Sequence, residues 1–593
     1  MRKLILHRTF IAVVLLLVAS LWSAACLNQN QQSQPQGNTA AQRERVVGTR
    51  GGSLSYRVAT PPKTFNYVMA SDVDTLTVAL YLLGGRLAEI DHDAQRYVPA
   101  LAESWQWAAG DERTLEVTLR DGLRFSDGHA LTAEDVVFSF RTIYDERTAS
   151  PVFRDAMTIG GRPIEAIATD ARHLRLTFPE AVAAPENYLS NLSVLPRHIL
   201  EEDFNKGTFK DAYAITTEPQ RIVTAGAFMV EAVTPGERIT LKRNPNFWKK
   251  DQAGTQLPYL DGLVIEVASD ANNGMARLSQ GTLDIFDRLR PTDYARLRTS
   301  QGSVRAYDLG PGLVTDHIVF NQNLGQQNGK AIVDAVKSVW FTDARFRRAV
   351  SHAIDRASIA NSTLQGLATP LYGFISTGNR AWAATSLPRT DYDLNRARAL
   401  LTESGFQLRG TQDAPELVDG KGNVVAWTLI VPAESEPRVA MATVIQEDLA
   451  RLGMKVQIAT IENAQVAARL SQTFEYDAIL FGTSVTEPDP SSYTNFLRSS
   501  SPSHQWYPKQ EKAATPWEAR IDELITAQAR ERDTPRRAAV FQEIQQILAE
   551  QLPVIPIVTR HVTSAANAKV GNYRPSPLFP YSLWNAEELF VHK

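Results

Sequence analysis

One cysteine in 593 residues, Cys26, means that the chain can close no disulfide within itself. Everything folded beyond it must be held by burial and secondary structure. That suits a long chain, because the fraction of surface buried on folding rises with size. The length also exceeds what one hydrophobic core usually supports and corresponds to about three or four domain-sized units, so several lobes are expected. Apolar residues make up 44% of the chain, the share of an ordinary globular protein. With 62 Lys and Arg against 65 Asp and Glu the net charge is only -3, which gives no field favouring nucleic acid or an anionic membrane surface.

The position of Cys26 is as informative as its solitude. Arg2, Lys3 and Arg8 precede an apolar run over 9–22, and Ser23, Ala24 and Ala25 are small. Charge, apolar run and small residues in that order read as a secretion signal, 1–25, with its cleavage site. After Trp22 no uninterrupted apolar stretch approaches bilayer length. The arrangement resembles bacterial lipoproteins, in which such a cysteine becomes the first mature residue and carries acyl chains, anchoring the protein to a membrane. Ser23 stands where the lipid-attachment motif usually has Leu, and ordinary cleavage after Ala25 also fits. The Gln-, Asn-, Ser- and Pro-rich stretch 28–42 has almost nothing to bury and reads as a tether. About twenty such residues have a reach near 25 Å. The anchor and tether are taken as 26–45.

Beyond the tether, strand and helix patterns mix throughout. Leu54, Tyr56 and Val58 alternate as in a strand. Leu115, Val117 and Leu119 share one strand face, Asp121-Gly122 predicts a turn, and Leu123 with Phe125 predicts a return strand. Thr132 with Asp135 three residues on predicts a capping box for a helix that buries Val136, Val137, Phe140, Ile143 and Tyr144. A second helix is predicted over 341–359, with Phe346, Ala349, Val350, Ala353, Ile354 and Ala357 inward. Its Arg345, Arg347 and Arg348 read as a solvated face rather than an anion site, since long basic side chains stay wet at little cost. Helices are also predicted over 394–404 and 438–452, ended by Gly405 and Gly453, with a strand at 456–458. No short-period repeat points to a solenoid or propeller.

Catalytic patterns are missing from the sequence: no zinc-binding helix motif, no phosphate loop and no dinucleotide fingerprint. With Cys26 at the terminus there is no thiol nucleophile for the folded part. Glu487 and Asp489 in Glu487-Pro488-Asp489-Pro490 could form an acid/base pair, but acidic residues in such proline-fixed loops are usually turn formers. His317, in a predicted strand at 314–320, reads either as a packed, hydrogen-bonded histidine or as a ligand contact.

Several motifs recur in one order along the chain. Leu101-Ala102-Glu103-Ser104-Trp105 is followed by Leu119-Arg120-Asp121-Gly122-Leu123-Arg124-Phe125-Ser126-Asp127-Gly128 and by Leu131-Thr132-Ala133-Glu134-Asp135-Val136-Val137. Then come Gly226-Ala227-Phe228, Arg243-Asn244-Pro245-Asn246-Phe247-Trp248, Phe346-Arg347-Arg348-Ala349-Val350, Tyr476-Asp477 and Pro488-Asp489-Pro490. The series resembles the family 5 extracellular solute-binding proteins, the capture components of ABC importers for dipeptides, oligopeptides, nickel and some oligosaccharides. The resemblance implies an α/β fold: a two-lobed periplasmic-binding-protein architecture with hinge strands and an additional α+β subdomain. Its parts would be a first lobe from 46–87, 216–310 and 555–593, the subdomain 88–215, and a second lobe 311–554. It further implies a monomer that is not an enzyme, has no cofactor or metal, is exported to the periplasm or cell surface, and closes around a solute for ABC transporter permease subunits.

Implied ligand-binding residues are Asn66, His317, Thr483, Thr486, Asp489 and Tyr493. Peptide-binding members carry a Trp and then an Asp, partner of the peptide ammonium, where this chain has Thr483 and Thr486. A buried ammonium without a carboxylate is costly, so this loop weakens the peptide reading unless Asp489, Asp316 or Glu487 acts from another direction. Threonine hydroxyls would suit a sugar or another polar solute. No histidine or thiolate cluster favours nickel. A secreted hydrolase and a scaffolding lipoprotein are the readings from other classes.

Overall fold

The computed structural model describes residues 45–150, 152–411 and 414–592. Cys26, the signal 1–25 and all of the tether but Arg45 lie outside the described residues. One eleven-stranded mixed sheet organises the rest. Its order is Lys455–Ile461, Ala426–Pro432, Ala478–Thr483, Val304–Phe320, Val554–Asn567, Ile285–Asp287, Ser53–Val58, Gly262–Val267, Arg238–Arg243 and Phe228–Thr234, with Ala368–Pro370 also paired to Val554–Asn567.

Two long antiparallel strands, Val304–Phe320 and Val554–Asn567, cross from one half to the other. Residues 304–308 pair with 563–567, which also border Ile285–Asp287. Thr315 to Phe320 instead pair with Ala478–Thr483 on one edge and, up to Val319, with 554–559 on the other. Between these stretches the register shifts at Asp308/Pro311 and again at Pro311/Thr315. Pro311 has no N–H for a ladder, and Gly310 has φ +79°, so the pairing breaks where the sheet passes between lobes. This is the architecture of two lobes joined by crossing strands that the sequence resemblance implied.

Strand alternation builds a core on each face of the second lobe. Ile318, Phe320, Leu480, Leu429 and Val431 face a cluster closed by Phe346, Leu400, Met441 and Ile445. Their neighbours Val319, Ile479 and Ile430 face another, closed by Ile521, Phe541 and Ile544. Helices Ala344–Ala353, Leu394–Glu403 and Glu436–Ala450 therefore cover one face, and Pro516–Arg530 with Thr534–Gln551 the other. Fully burying one such side chain is worth about 1.5–3 kcal/mol relative to exposure.

A separate four-stranded sheet, in the order Ala102–Trp107, Thr114–Leu119, His173–Thr177, Glu165–Ala168, forms the α+β layer expected within 88–215. Helix Ala133–Tyr144 starts at the capping box, where the Thr132 N–H donates to Asp135 at 2.8 Å. Phe138 is buried too, against Phe204, whereas Val137 and Tyr144, expected inward, are only half-buried.

Three local expectations are corrected. Leu123 and Phe125 do not return along 114–119, because both edges of that strand are already taken by 102–107 and 173–177. They turn instead about Gly128, the Phe125 N–H donating to the His129 carbonyl at 2.9 Å. The helix expected over 341–359 is broken at Asp343, which ends Ala335–Thr342 and caps Ala344–Ala353 through the Arg345 N–H. Arg347 is not solvated: it is 2% exposed. Its guanidinium donates to the carbonyls of Phe341, Gln551 and Leu552 at 2.6–2.8 Å, while Arg348 donates to that of Glu550 at 2.6 Å. The end of helix Thr534–Gln551 leaves unpaired carbonyls, and these two arginines satisfy them.

Candidate functional site

Where the crossing strands bend, a cavity of about 560 Å³ opens between the lobes, a size usual for small-ligand sites. Gly312 to Val314 and Arg560 to Thr563 of the crossing strands line it. Val73, the stretch from Arg288 to Thr292, Phe579 and Tyr581 face it from the first lobe, and Leu364, Glu436, Pro437 and Ser484 to Thr486 from the second. The walls thus combine apolar surface with a few charged groups.

Three of its lining residues, Arg288, Gln365 and Tyr581, have positive φ, +59°, +54° and +58°. L-residues rarely adopt this region, and such strain persists only where surroundings impose it. Here the Arg288 N–H donates to the Thr563 carbonyl at 2.7 Å, and the Tyr581 N–H to that of Leu578 at 2.8 Å.

The charges are asymmetric. Arg288 lies 3.4 Å from Asp74 and over the ring of Tyr581. Burial opposes its charge, but Tyr581, Tyr56, Asp74 and Asp287 together hold its pKa above the ordinary value. Arg290 is paired with Asp293 at 2.7 Å, and that hydrogen bond, with the charges of Asp293 and Glu436, raises its pKa too. Arg560 and Arg438 each donate from Nε at 2.8 Å to Asp316, which has no solvent exposure. One buried carboxylate thus holds two guanidiniums, one of them lining the cleft. Glu436 is exposed at the first position of its helix and has no hydrogen bond or ion pair among the described residues.

Of the six residues expected at the ligand, Thr486 lines this cavity. His317 and Thr483 are buried and joined through Gln505, whose amide oxygen lies 2.8 Å from His317 Nε2 and whose Nε2 donates to Thr483 Oγ1 at 3.1 Å. Burial pushes the His317 pKa down to about 4, so the ring is neutral. Asp489 accepts both Arg537 Nη1 and Nη2, at 2.7 and 2.8 Å, and caps the turn Pro490–Tyr493 through the Ser491 N–H. Tyr493 is packed against Phe374 and Phe541. Asn66 caps Tyr67–Met69 and donates to the Phe209 carbonyl at 3.0 Å. These five side chains have protein partners and do not line the cavity.

The substitutes considered for the missing ammonium partner are engaged as well. Asp316 and Asp489 are ion-paired, as described. Glu487 is 4% exposed and accepts from Tyr97 Oη at 2.5 Å and Ser190 Oγ at 3.1 Å. Arg288, Glu436, Arg560, Tyr581 and Gln505 carried no motif that marked them. For Glu436 the sequence Ser435-Glu436-Pro437 signals a helix start, but not that this start faces a cleft.

A family model for bacterial extracellular solute-binding proteins, family 5, matches residues 96–505, more than half of the chain. A probable ABC transporter-binding protein of Deinococcus radiodurans is 28% identical over 86% of this chain and 87% of its own length. Di/tripeptide-binding protein 3 of Pseudomonas aeruginosa is 24% identical over 86% and 90%. The oligopeptide-binding protein AppA of Bacillus subtilis, solved with a nonapeptide, superposes with a TM-score of 0.69 at 22% identity, covering 92% of this chain and all of that one. Among the described residues no helix is long and apolar enough to cross a membrane. The match over 96–505, together with two lobes on crossing strands, makes the chain a member of the family 5 bacterial extracellular solute-binding proteins.

Proposed function

We propose that this chain captures short peptides in the interlobe cleft by lobe closure and delivers them to the permease of an ABC importer. The observation that carries the reading is Glu436, an unpaired carboxylate in a cleft whose walls also carry the guanidiniums of Arg288, Arg290 and Arg560. A zwitterionic peptide matches both signs: its ammonium takes Glu436, and its carboxylate takes the guanidiniums. Glu436 thereby supplies from a helix start the charge that the threonine loop lacks, and Thr486 contributes a hydroxyl to the same cavity. The peptide-binding relatives support the ligand class. Lobe boundaries are proposed at 46–87, 216–310 and 555–593 for the first lobe and 311–554 for the second, with 88–215 as the subdomain. Export by the signal 1–25 and lipid attachment at Cys26 would place the cleft outside the cytoplasm, on a tether.

Thermal shift against di- to hexapeptides, their N-acetylated and C-amidated forms, and neutral oligosaccharides tests the reading. Free peptides raise the melting temperature, blocking either end removes most of the shift, and Glu436→Gln mimics N-acetylation. Stabilisation by oligosaccharides and by no peptide would replace peptide with sugar.

A further inference from the structure

A second cavity, of about 240 Å³, lies away from the crossing strands, between the start of the α+β subdomain and the C-terminal segment of the first lobe. Most of its charges are committed. Lys249 pairs with Glu89 at 3.1 Å and Glu587 at 2.5 Å, and Arg574 with Glu588 at 3.2 Å and Asp93 at 3.5 Å. Three buried polar atoms on its lining residues nevertheless have no hydrogen-bond partner among the described residues: His92 Nδ1, Arg574 Nε and Asn585 Oδ1. His92 is 6% exposed and Asn585 1%. Buried polar groups are nearly always satisfied, so three exceptions on one cavity point to a partner that the described residues do not supply.

The unsatisfied groups are specific. His92 stacks on Trp584 with centroids 4.8 Å apart and planes 8° from parallel, and burial holds its pKa down at about 3, so the ring is neutral. Arg574 Nε–H is a donor without an acceptor, and Asn585 Oδ1 an acceptor without a donor. A fourth group joins them: the Arg86 guanidinium lies 4.6 Å over the Tyr81 ring and has no hydrogen bond or ion pair among the described residues. Beside the paired charges, the cavity therefore offers Arg86 and Arg574 Nε towards an anion, and Asn585 Oδ1 with the Asp91 carboxylate, which no cation pairs among the described residues, towards a donor group.

We propose that this cavity is a second ligand site, for a small molecule carrying one carboxylate and one ammonium or hydroxyl group, of the size of a free amino acid. The carboxylate takes Arg86, Arg574 Nε and the N–H of His92 Nδ1 in the tautomer that donates from it, and the donor end takes Asn585 Oδ1. Pro580 lines this cavity while its neighbours Phe579 and Tyr581 line the cleft, so the two sites are separated by one chain segment and must be told apart by variants.

Titration calorimetry of the full chain with free L-amino acids, singly, decides it, with lactate as the hydroxy-acid probe. Binding of at least one probe is expected, weakened about tenfold or more by Arg86→Gln and by His92→Phe, which keeps the ring on Trp584, and altered less than about twofold by Glu436→Gln. Should His92→Phe fail to fold, Arg86→Gln decides alone, since that guanidinium has no hydrogen bond to lose. No binding by any probe would overturn the proposal and leave the cavity to water. Binding sensitive to Glu436→Gln but not to Arg86→Gln would overturn it equally, by placing the amino acid in the cleft. Peptide capture is read separately by the thermal shifts above, so either conclusion can fail without the other.

Discussion

Two adjoining stretches of one loop do opposite work. Ser484 and Thr486 are exposed to the interlobe cavity and carry no hydrogen bond among the described residues. From Glu487 to Tyr493, directly after, the polar side chains that are buried are tied to other elements: Glu487 to the subdomain through Tyr97 and Ser190, Asp489 to helix Thr534–Gln551 through Arg537. The acidic residues of this loop hold parts of the molecule together, and Ser484 and Thr486 face the cavity. A carboxylate buried and paired within the protein has less to offer a ligand than a free one, so charge in a loop is a weaker sign of a binding site than an unpaired group on a cavity wall.

Cutting the second stretch tests that division most severely. Asp489→Ala leaves the Arg537 guanidinium, whose side chain is 6% exposed, buried beside a lost partner; a destabilisation of about 3–5 kcal/mol is expected from denaturant unfolding. A loss below about 1 kcal/mol would mean that water replaces the pair, placing Asp489 closer to solvent than its contacts indicate.

Glu487 gives the next effect, with a pH signature. Burial pushes its pKa up to about 7, above the value near 4.3 of an unfolded chain. Between those values the folded state binds the extra proton, so this group's contribution to stability is greatest below about pH 4.3, falls as pH rises, and levels off above pH 7, a change of order 4 kcal/mol. Asp489, Arg86, Tyr97 and Ser190 are the groups that face it. Glu487→Gln should remove this part of the slope and be the more stable form at pH 8. A slope unchanged in the variant would assign the titration elsewhere. Tyr97→Phe is expected to cost less, roughly 1–2 kcal/mol, because Ser190 still donates.

The same contrast explains what could be read in the sequence. The strand at Leu54-Tyr56-Val58, the capping box at Thr132-Asp135 and the helix ends at Gly405 and Gly453 are local: period, cap and φ are set within a few residues, and the structure contains each of them. The burial of Arg347 is not legible in the same way, because nothing near it in the sequence reveals carbonyls two hundred residues away that need a donor. Thr486 could be placed by its loop, whereas Arg288, Glu436 and Arg560 come from three distant segments that only the crossing strands bring together. Local chemistry proposes which side chains are polar; tertiary pairing decides which remain free.

Thr486→Val probes the first stretch alone and should have the smallest effect on stability. The side chain is exposed and has no hydrogen bond among the described residues, so its replacement should change the unfolding free energy by no more than about 0.5 kcal/mol. Valine conserves shape but removes a hydroxyl facing the cleft. If that hydroxyl bonds the captured solute, affinity should fall by roughly fivefold to tenfold, the value of one hydrogen bond near 1 kcal/mol. Calorimetry with a bound peptide measures the affinity, and denaturant unfolding of the unliganded chain measures the stability. Loss of stability with affinity intact would place Thr486 with Glu487 and Asp489, and the boundary between ligand-facing and fold-holding residues would move to Ser484.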